Sequence, residues 1–272
     1  KKQPMKLIDL IKPTVGKGYQ IHSFVVDFAD YGVPHTRKRL ITIGKRTKQR
    51  SSSFTLHDEQ PPVWFDVGKK KDQISILQAI SYLCRPKKND LLRQIPTMND
   101  DHTRWISNIP KYSGKSAFDN NCSEKDCRHR EKKTAIFCRK CTKPLPRPSM
   151  IEDDGKLRLI QGRPSTYKRM LPHKPANTIT MMSGVPSSDN SIHYSQNRVL
   201  NLMEIMVLTT FCNIKNKAKK ITTEYPWHGK YDFSSVMKPE DYLLQKNIIR
   251  QALGESIPPL AMQRMVQSLL KW

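Results

Sequence analysis

No apolar run in this chain approaches the roughly 20 residues that a helix needs to cross a bilayer, which sets a membrane-spanning protein aside. No secretory leader heads it, so a reducing cytoplasmic setting is expected, nucleoid-associated if the source is prokaryotic. No internal repeat is visible, so repeat architectures are out. Acidic residues are scarce: 24 Asp and Glu stand against 48 Lys and Arg in 272 residues, a formal charge of +24. A field of that size favours a polyanionic partner, and nucleic acid is the commonest, its phosphates supplying most of the affinity. A protein kept soluble by its own charge has the same composition. Hydrophobic content is low at 37%, but the length suffices for one large domain or two small ones. The first residue is Lys1, which fits a fragment, a processed product or a subunit.

The chain opens with a short amphipathic segment over residues 5–12, then a strand candidate over 19–28. Residues 47–72 read as polar and irregular, and 74–83 as a short amphipathic helix with Ile76, Leu77, Ile80 and Leu83 on one side. A mostly looped stretch over 85–121 holds a short helix near 102–109, where Trp105 and Ile109 share a face. Residues 149–197 read as irregular strands and turns. Asn201 is a candidate N-cap with Glu204 at capping-box spacing, heading a helix over 201–211 that is apolar nearly all round and therefore buried. A basic linker with Tyr225, Trp227, His228 and Tyr231 leads to a helix over 241–253 stopped by Gly254, and Pro258-Pro259 opens a last helix.

The stretch over 31–46, YGVPHTRKRLITIGKR, concentrates the chemistry. Gly32 and Pro34 punctuate a turn. A strand of period two follows, with Arg37, Arg39, Ile41 and Ile43 on one face. Two guanidiniums sharing a face with aliphatic residues fit a strand end that meets a site; an edge strand guarded by charge has the same pattern. The hairpin and one helix cannot bury their own faces, so a larger sheet is expected.

Four of the six cysteines form Cys122-x4-Cys127-x10-Cys138-x2-Cys141. Two close thiol pairs can converge on one tetrahedral Zn²⁺, and a closed four-thiolate site is structural rather than catalytic. Free thiols in a loop are the alternative. His129 is not needed as a ligand, and Cys84 and Cys212 read as core or surface thiols.

Tyr31, Gly32, Val33, Pro34, Arg37 and Arg39 resemble the eighth conserved motif of the DNA cytosine-5 methyltransferases, a Tyr-Gly-Val-Pro turn followed by Gln-x-Arg-x-Arg, with His35 at the usual Gln. The Thr178-Ile179 pair resembles the close of that family's target-recognition region. Arg198, Leu200 and Glu204 match its ninth motif, with Asn201 for Thr and Met203 for Arg. Gly254-Glu-Ser-Ile-Pro-Pro resembles the tenth, with Glu255 at the usual Asn. The matches run in the family's order. The family's glycine-rich cofactor motif, its Pro-Cys nucleophile loop and its Glu-Asn-Val motif have no counterpart here.

The resemblance implies an α/β fold: an incomplete Rossmann-like methyltransferase sheet, its last strands and returning helix, plus a small irregular target-recognition domain with a zinc ribbon. Residues 1–50 would be the last strands of the catalytic domain, 51–197 the target-recognition domain with a zinc-ribbon insert at 122–148, and 198–272 the returning helices. The implied function is the sequence-reading part of an S-adenosylmethionine-dependent DNA (cytosine-5-)-methyltransferase of a restriction-modification system. An N-terminal half or subunit would supply the thiolate that attacks C6. Double-stranded DNA is the implied substrate, its target base flipped from the stack. Arg39 would hold the flipped cytosine and Arg37 would support the loop or a phosphate. Glu255 and Ser256 would lie at the cofactor pocket. Thr178, Ile179, Thr180, Ser183 and Arg198 would contact DNA, and Cys122, Cys127, Cys138 and Cys141 would hold zinc. A non-catalytic DNA-binding remnant and an unrelated zinc-ribbon protein that binds RNA are the competing readings.

Overall fold

The computed structural model describes residues 18–48, 53–57, 72–83, 91–163, 165–188, 191–212, 215–216, 221–222 and 242–270. The segment over 5–12, Cys84, and the aromatic linker with Tyr225, Trp227, His228 and Tyr231 lie outside them. In chain order the main elements are β1 (Tyr19–Asp27), β2 (Lys38–Arg46), β3 (Ser53–His57), α1 (Ile76–Ile80), α2 (Asp100–Ser107), β4 (Ser149–Ile151), β5 (Leu157–Leu159), α3 (Leu202–Leu208), α4 (Tyr242–Glu255) and α5 (Pro259–Leu270). The fold is mixed α/β with small sheets. Among the described residues no helix is long and apolar enough to cross a membrane.

β1 and β2 form the expected antiparallel hairpin, Tyr19 opposite Arg46 and Asp27 opposite Lys38. Its connection begins as a 3-10 turn over Phe28–Tyr31, capped by Asp27 and ended by Gly32 at φ +86°, a backbone state that glycine adopts without strain. Phe24, Val26, Ile41 and Ile43 bury one face against Leu260, Ala261 and Met265 of α5. On the other face Val25 and its cross-strand partner Leu40 are exposed. The stretch expected to be irregular contributes a third strand: β3 runs parallel to β1 from Gln20↔Ser53 to Phe24↔His57, giving the order β2-β1-β3. A strand of only five residues, opening inside a serine run, is set by the free hydrogen-bonding edge of β1 rather than by its own pattern.

The largest core gathers α1, α3 and α4 around Ala176, Ile179 and Tyr194. Both helix starts are closed by capping boxes, Ser75 with Gln78 and Asn201 with Glu204. α3 is buried but stops short of Phe211, because Thr210 turns into the left-handed region at φ +65°. α4 runs through Gly254 instead of ending before it. That glycine answers a close approach: a Cβ there would stand 2.4 Å from the Met181 amide nitrogen and the Thr180 carbonyl carbon. A further core packs Trp105, Ile106 and Ile109 against Tyr167, Ile192 and Val199. Trp105 is 3% exposed and edge-on to Tyr167, so it is packing and not a binding platform.

Candidate active site and metal centre

The turn after β1 is wired into two distant parts of the chain. Asp27 Oδ1 accepts the Ala29 amide at 3.1 Å and the Arg37 amide at 3.0 Å, closing the hairpin end. Residues 34–36 then pair with the segment around Ala176: its amide donates to the Pro34 carbonyl at 2.9 Å, and its carbonyl accepts from the Thr36 amide at 2.8 Å. The Thr178 hydroxyl adds a bond to the Thr36 carbonyl at 2.8 Å. The segment around Ala176 thus forms an isolated parallel bridge with the turn that leads into the arginine hairpin.

Arg37 completes this seam. Its side chain is buried, Nη1 donating to the Ile179 carbonyl and Nη2 to the Glu255 carbonyl, each at 3.2 Å. Burial lowers its pKa, and the neighbouring charge of Arg39 lowers it further. Its Nε is buried with no hydrogen-bond partner. Arg39, two residues along β2, is half-buried and donates from Nη1 to the adjacent Lys38 carbonyl. The pair therefore divides: one guanidinium is fixed into the seam, and the other is held only locally beside the Phe24–Ile41 face. His35 is fully buried, and neither of its ring nitrogens has a hydrogen-bond partner. Burial, then the Arg37 charge, pushes its pKa down to about 3, so its ring is neutral at physiological pH.

The tenth-motif residues sit at the far side of the seam. Glu255 is exposed and offers its carbonyl to Arg37, while Ser256 Oγ donates to the Leu253 carbonyl at 2.8 Å. Arg264 of α5 reaches the Tyr31 carbonyl and lies over Gly32.

Three residues expected to touch DNA are instead interior. Ile179 is a core residue, Ser183 is buried beside Arg250, and Arg198 is 4% exposed. Arg198 grips Glu204 through two bonds of 2.7 Å, and Glu204 also accepts the Asn201 amide at 2.8 Å. Burial raises the Glu204 pKa, but the Arg198 and His193 bonds outweigh it and hold it at about 2. His193 Nε2 lies 3.5 Å from Glu204 Oε1, and its Nδ1 accepts the Ser195 and Gln196 amides. A charge neutralised in this way anchors the start of α3 and has no capacity left for a phosphate. Thr180 keeps an accessible position, its hydroxyl 3.2 Å from that of Ser188. Nearby, Met182 and Ser187 join Gln161, Arg163 and Tyr167 around an open cleft of about 550 Å³. Gln161 and Arg163 belong to a loop without periodicity, which no pattern in the sequence singles out.

The four cysteines do converge. Cys122 and Cys141 sulfurs are 3.5 Å apart, as are those of Cys127 and Cys138, and all four lie within 4.8 Å of one another. Tetrahedral thiolates around Zn²⁺ stand about 3.8 Å apart for bonds of ~2.3 Å, whereas a disulfide needs ~2.05 Å, so the set fits a metal. Burial pushes the Cys122 thiol up to about 12. Burial also raises Cys138, but the amides of Cys141 and Lys140 outweigh it and bring this thiol down to about 7. Amides aimed at a sulfur favour its thiolate, the form that binds metal. His129 stays outside the set, beside Glu131 at 3.5 Å. Cys212 is a lone half-buried thiol packed on the large core.

The sequence model of the C-5 cytosine-specific DNA methylases matches residues 8–224. The chain is also similar to the Type II methyltransferase M1.HgaI of Avibacterium volantium, 25% identical over 274 aligned positions that cover 96% of this chain and 58% of that protein. It spans little more than half the length of this relative. With most of its length matched and the hairpin, seam and turn in the order described, the chain belongs to the C-5 cytosine-specific DNA methylase family.

Proposed function

We propose that this chain is the sequence-reading, arginine-bearing part of a DNA (cytosine-5-)-methyltransferase of a restriction-modification system. It would work with a methyltransferase portion that holds S-adenosylmethionine and the attacking thiolate, within a Rossmann-like sheet that β1, β2 and β3 extend. The observation that carries this reading is the division of labour between the two arginines. Arg37 ties the hairpin to Ile179 and Glu255, which leaves Arg39 at the same strand end with only a local bond. Arg39 would donate to the O2 side of an everted cytosine, where charge develops as C6 is attacked. The methyl group would come from S-adenosylmethionine. The exposed Glu255 carboxylate, with Ser256 beside it, would face the cofactor across the seam. Thr178, Ile179, Thr180 and Ser183 would form the base of the recognition surface, with the half-buried Thr178 and Thr180 as the ones to meet DNA. The cysteine set would hold a structural Zn²⁺.

The test mixes the chain with the N-terminal portion of a cytosine-5 methyltransferase, labelled S-adenosylmethionine and duplex DNA. Methyl incorporation that depends on both polypeptides supports the reading. Arg39→Ala should lower that incorporation by about a hundredfold or more while leaving duplex affinity unchanged. An equal loss of affinity and turnover would move Arg39 from the base pocket to the phosphate backbone. Specific duplex binding with no incorporation under any pairing would favour the non-catalytic remnant.

A further inference from the structure

The cysteine module has a chemistry of its own. Its core is hardly more than the ligands themselves: Cys122, Cys138 and Leu145, with Cys127, Ala135 and Cys141 packed on them. Each thiol pair ends in a knuckle whose next residue is held at positive φ, Arg128 at +42° and Thr142 at +58°, although neither is glycine. So small a core leaves the two turns to the buried Arg147 guanidinium, which bonds the carbonyls of Asn120, Glu131, Lys132 and Ala135, and to a metal crosslink between the thiols.

The charge of this module is mostly positive, with Asp126 its one unpaired carboxylate among the described residues. Arg139 pairs with Glu131, Lys143 with Glu124 and Lys133 with Asp119. Lys125, Arg128, Arg130, Lys132 and Lys140 remain: all are exposed, and none forms an ion pair among the described residues. Phe137 lies between Lys132 and Lys140 in the chain and is 49% exposed although aromatic, its backbone bridged to Pro144. Several unpaired cations and an uncovered aromatic ring in one short segment fit a nucleic-acid backbone, whose regularly spaced phosphates can meet many cations at once.

We propose that the four-cysteine module is a metal-organised clamp on the phosphate backbone of duplex DNA, distinct from the arginine hairpin. Lys125, Arg128, Arg130, Lys132 and Lys140 supply the phosphate contacts, and Phe137 packs on the sugar edge between them. The clamp adds affinity without sequence information, because phosphates are the same at every base. It rests on the reading that this family member binds duplex DNA.

The test uses the full chain loaded with Zn²⁺ and measures its affinity for a random-sequence duplex by anisotropy from 50 to 300 mM salt. One variant carries Lys125→Ser, Arg128→Ser, Arg130→Ser, Lys132→Ser and Lys140→Ser, with its zinc content measured to verify that the module is intact. The slope of log K against log salt should fall by about 4.5, near 0.9 for each of the five phosphate contacts removed, with affinity down about a thousandfold or more at 150 mM salt. Phe137→Ser should weaken binding several-fold with the slope unchanged. Stripping the metal from the unaltered chain should reproduce the fall in slope. A zinc-replete charge variant that keeps the original slope overturns the clamp, as does tighter binding of single-stranded RNA of equal length. A chain with no affinity for duplex DNA even at 50 mM salt overturns the methyltransferase reading itself, a different result from an unaltered slope.

Discussion

Two buried arginines, Arg169 and Arg37, are used to opposite ends. Arg169 sits where the α2 end, the turn over 193–197 and the segment at Lys115 meet. Its guanidinium donates to the carbonyls of Ile109, Ile106, His193 and Gln196 and to the Asn197 side chain. Every nitrogen is in use, and burial lowers its pKa to about 10. Arg147 does the same job at the cysteine module, bonding the carbonyls of Asn120, Lys132, Ala135 and Glu131. Arg37 is equally inaccessible but makes only two such bonds and leaves Nε without a partner. A saturated guanidinium organises loops that have no secondary structure of their own. An unsaturated one, with a second guanidinium beside it, marks a boundary at which the hydrogen-bonding is unfinished.

The comparison is sharpened most by removing the saturated member. Arg169→Met should leave the carbonyls of Ile109, His193 and Gln196 without this donor in a closed interior, each costing about 1–3 kcal/mol, while the Ile106 carbonyl keeps the Ile109 amide. We expect a loss of about 4 kcal/mol or more, read as a collapse of the denaturant midpoint or as insoluble protein. A loss no larger than that of Arg37→Ala would mean that counting bonds is no guide to which arginine is structural.

The contrast also explains what the sequence shows and what it hides. The hairpin, the Asn201–Glu204 capping box, the Pro259 helix start and the converging cysteines are local patterns, in which spacing alone determines geometry. The arginine staples are invisible in the sequence, because the carbonyls around Arg169 come from the end of α2 and from loops, up to 63 positions away along the chain. Ile179 and Arg198 were legible as motif residues but not as buried ones: a motif preserves chemistry and does not say which side of a surface it faces. Arg198 carries its own clue in Glu204, six positions on, which neutralises it. Gly254 reads as a helix stop from its identity alone, yet the cause is the passing backbone of Thr180 and Met181.

That last contact tests the seam without touching an arginine. Gly254→Ala would place a methyl group 2.4 Å from backbone that has no side chain to yield. Overpacking of this kind costs about 1–3 kcal/mol, and because Glu255 follows directly, the Arg37 bond to its carbonyl should shift as well. Unaltered thermal stability in this variant would show that the segment over 180–181 is free to move away, and the seam would be looser than its hydrogen bonds suggest.

His35 ties the seam to pH. Its folded pKa of about 3 lies below the ordinary value of 6.5, so the unfolded chain takes up a proton that the folded chain refuses. The contribution is complete above pH 6.5 and is lost as pH falls through the interval to 3. At pH 5 the loss should be about 2 kcal/mol, from about 1.4 kcal/mol per pH unit below the unfolded value. His35→Gln places the family's usual residue there and removes the titration, so its stability should be flat from pH 7 to 5 where the parent declines. Parallel curves for the two proteins would show that the ring is protonated in place, with a partner on hand.

The smallest expected effect belongs to Arg39, and it decides the comparison. Its one hydrogen bond goes to the adjoining Lys38 carbonyl, a group that water can satisfy equally well. Truncation to Ala should therefore shift stability by no more than about 0.5 kcal/mol, against about 2 kcal/mol for Arg37→Ala, which strands the Ile179 and Glu255 carbonyls. Denaturant midpoints of the two variants, measured side by side, separate the roles before any substrate is added. If the Arg39 variant falls as far as the Arg37 variant, both guanidiniums are staples, and the strand end has no free donor to offer a base.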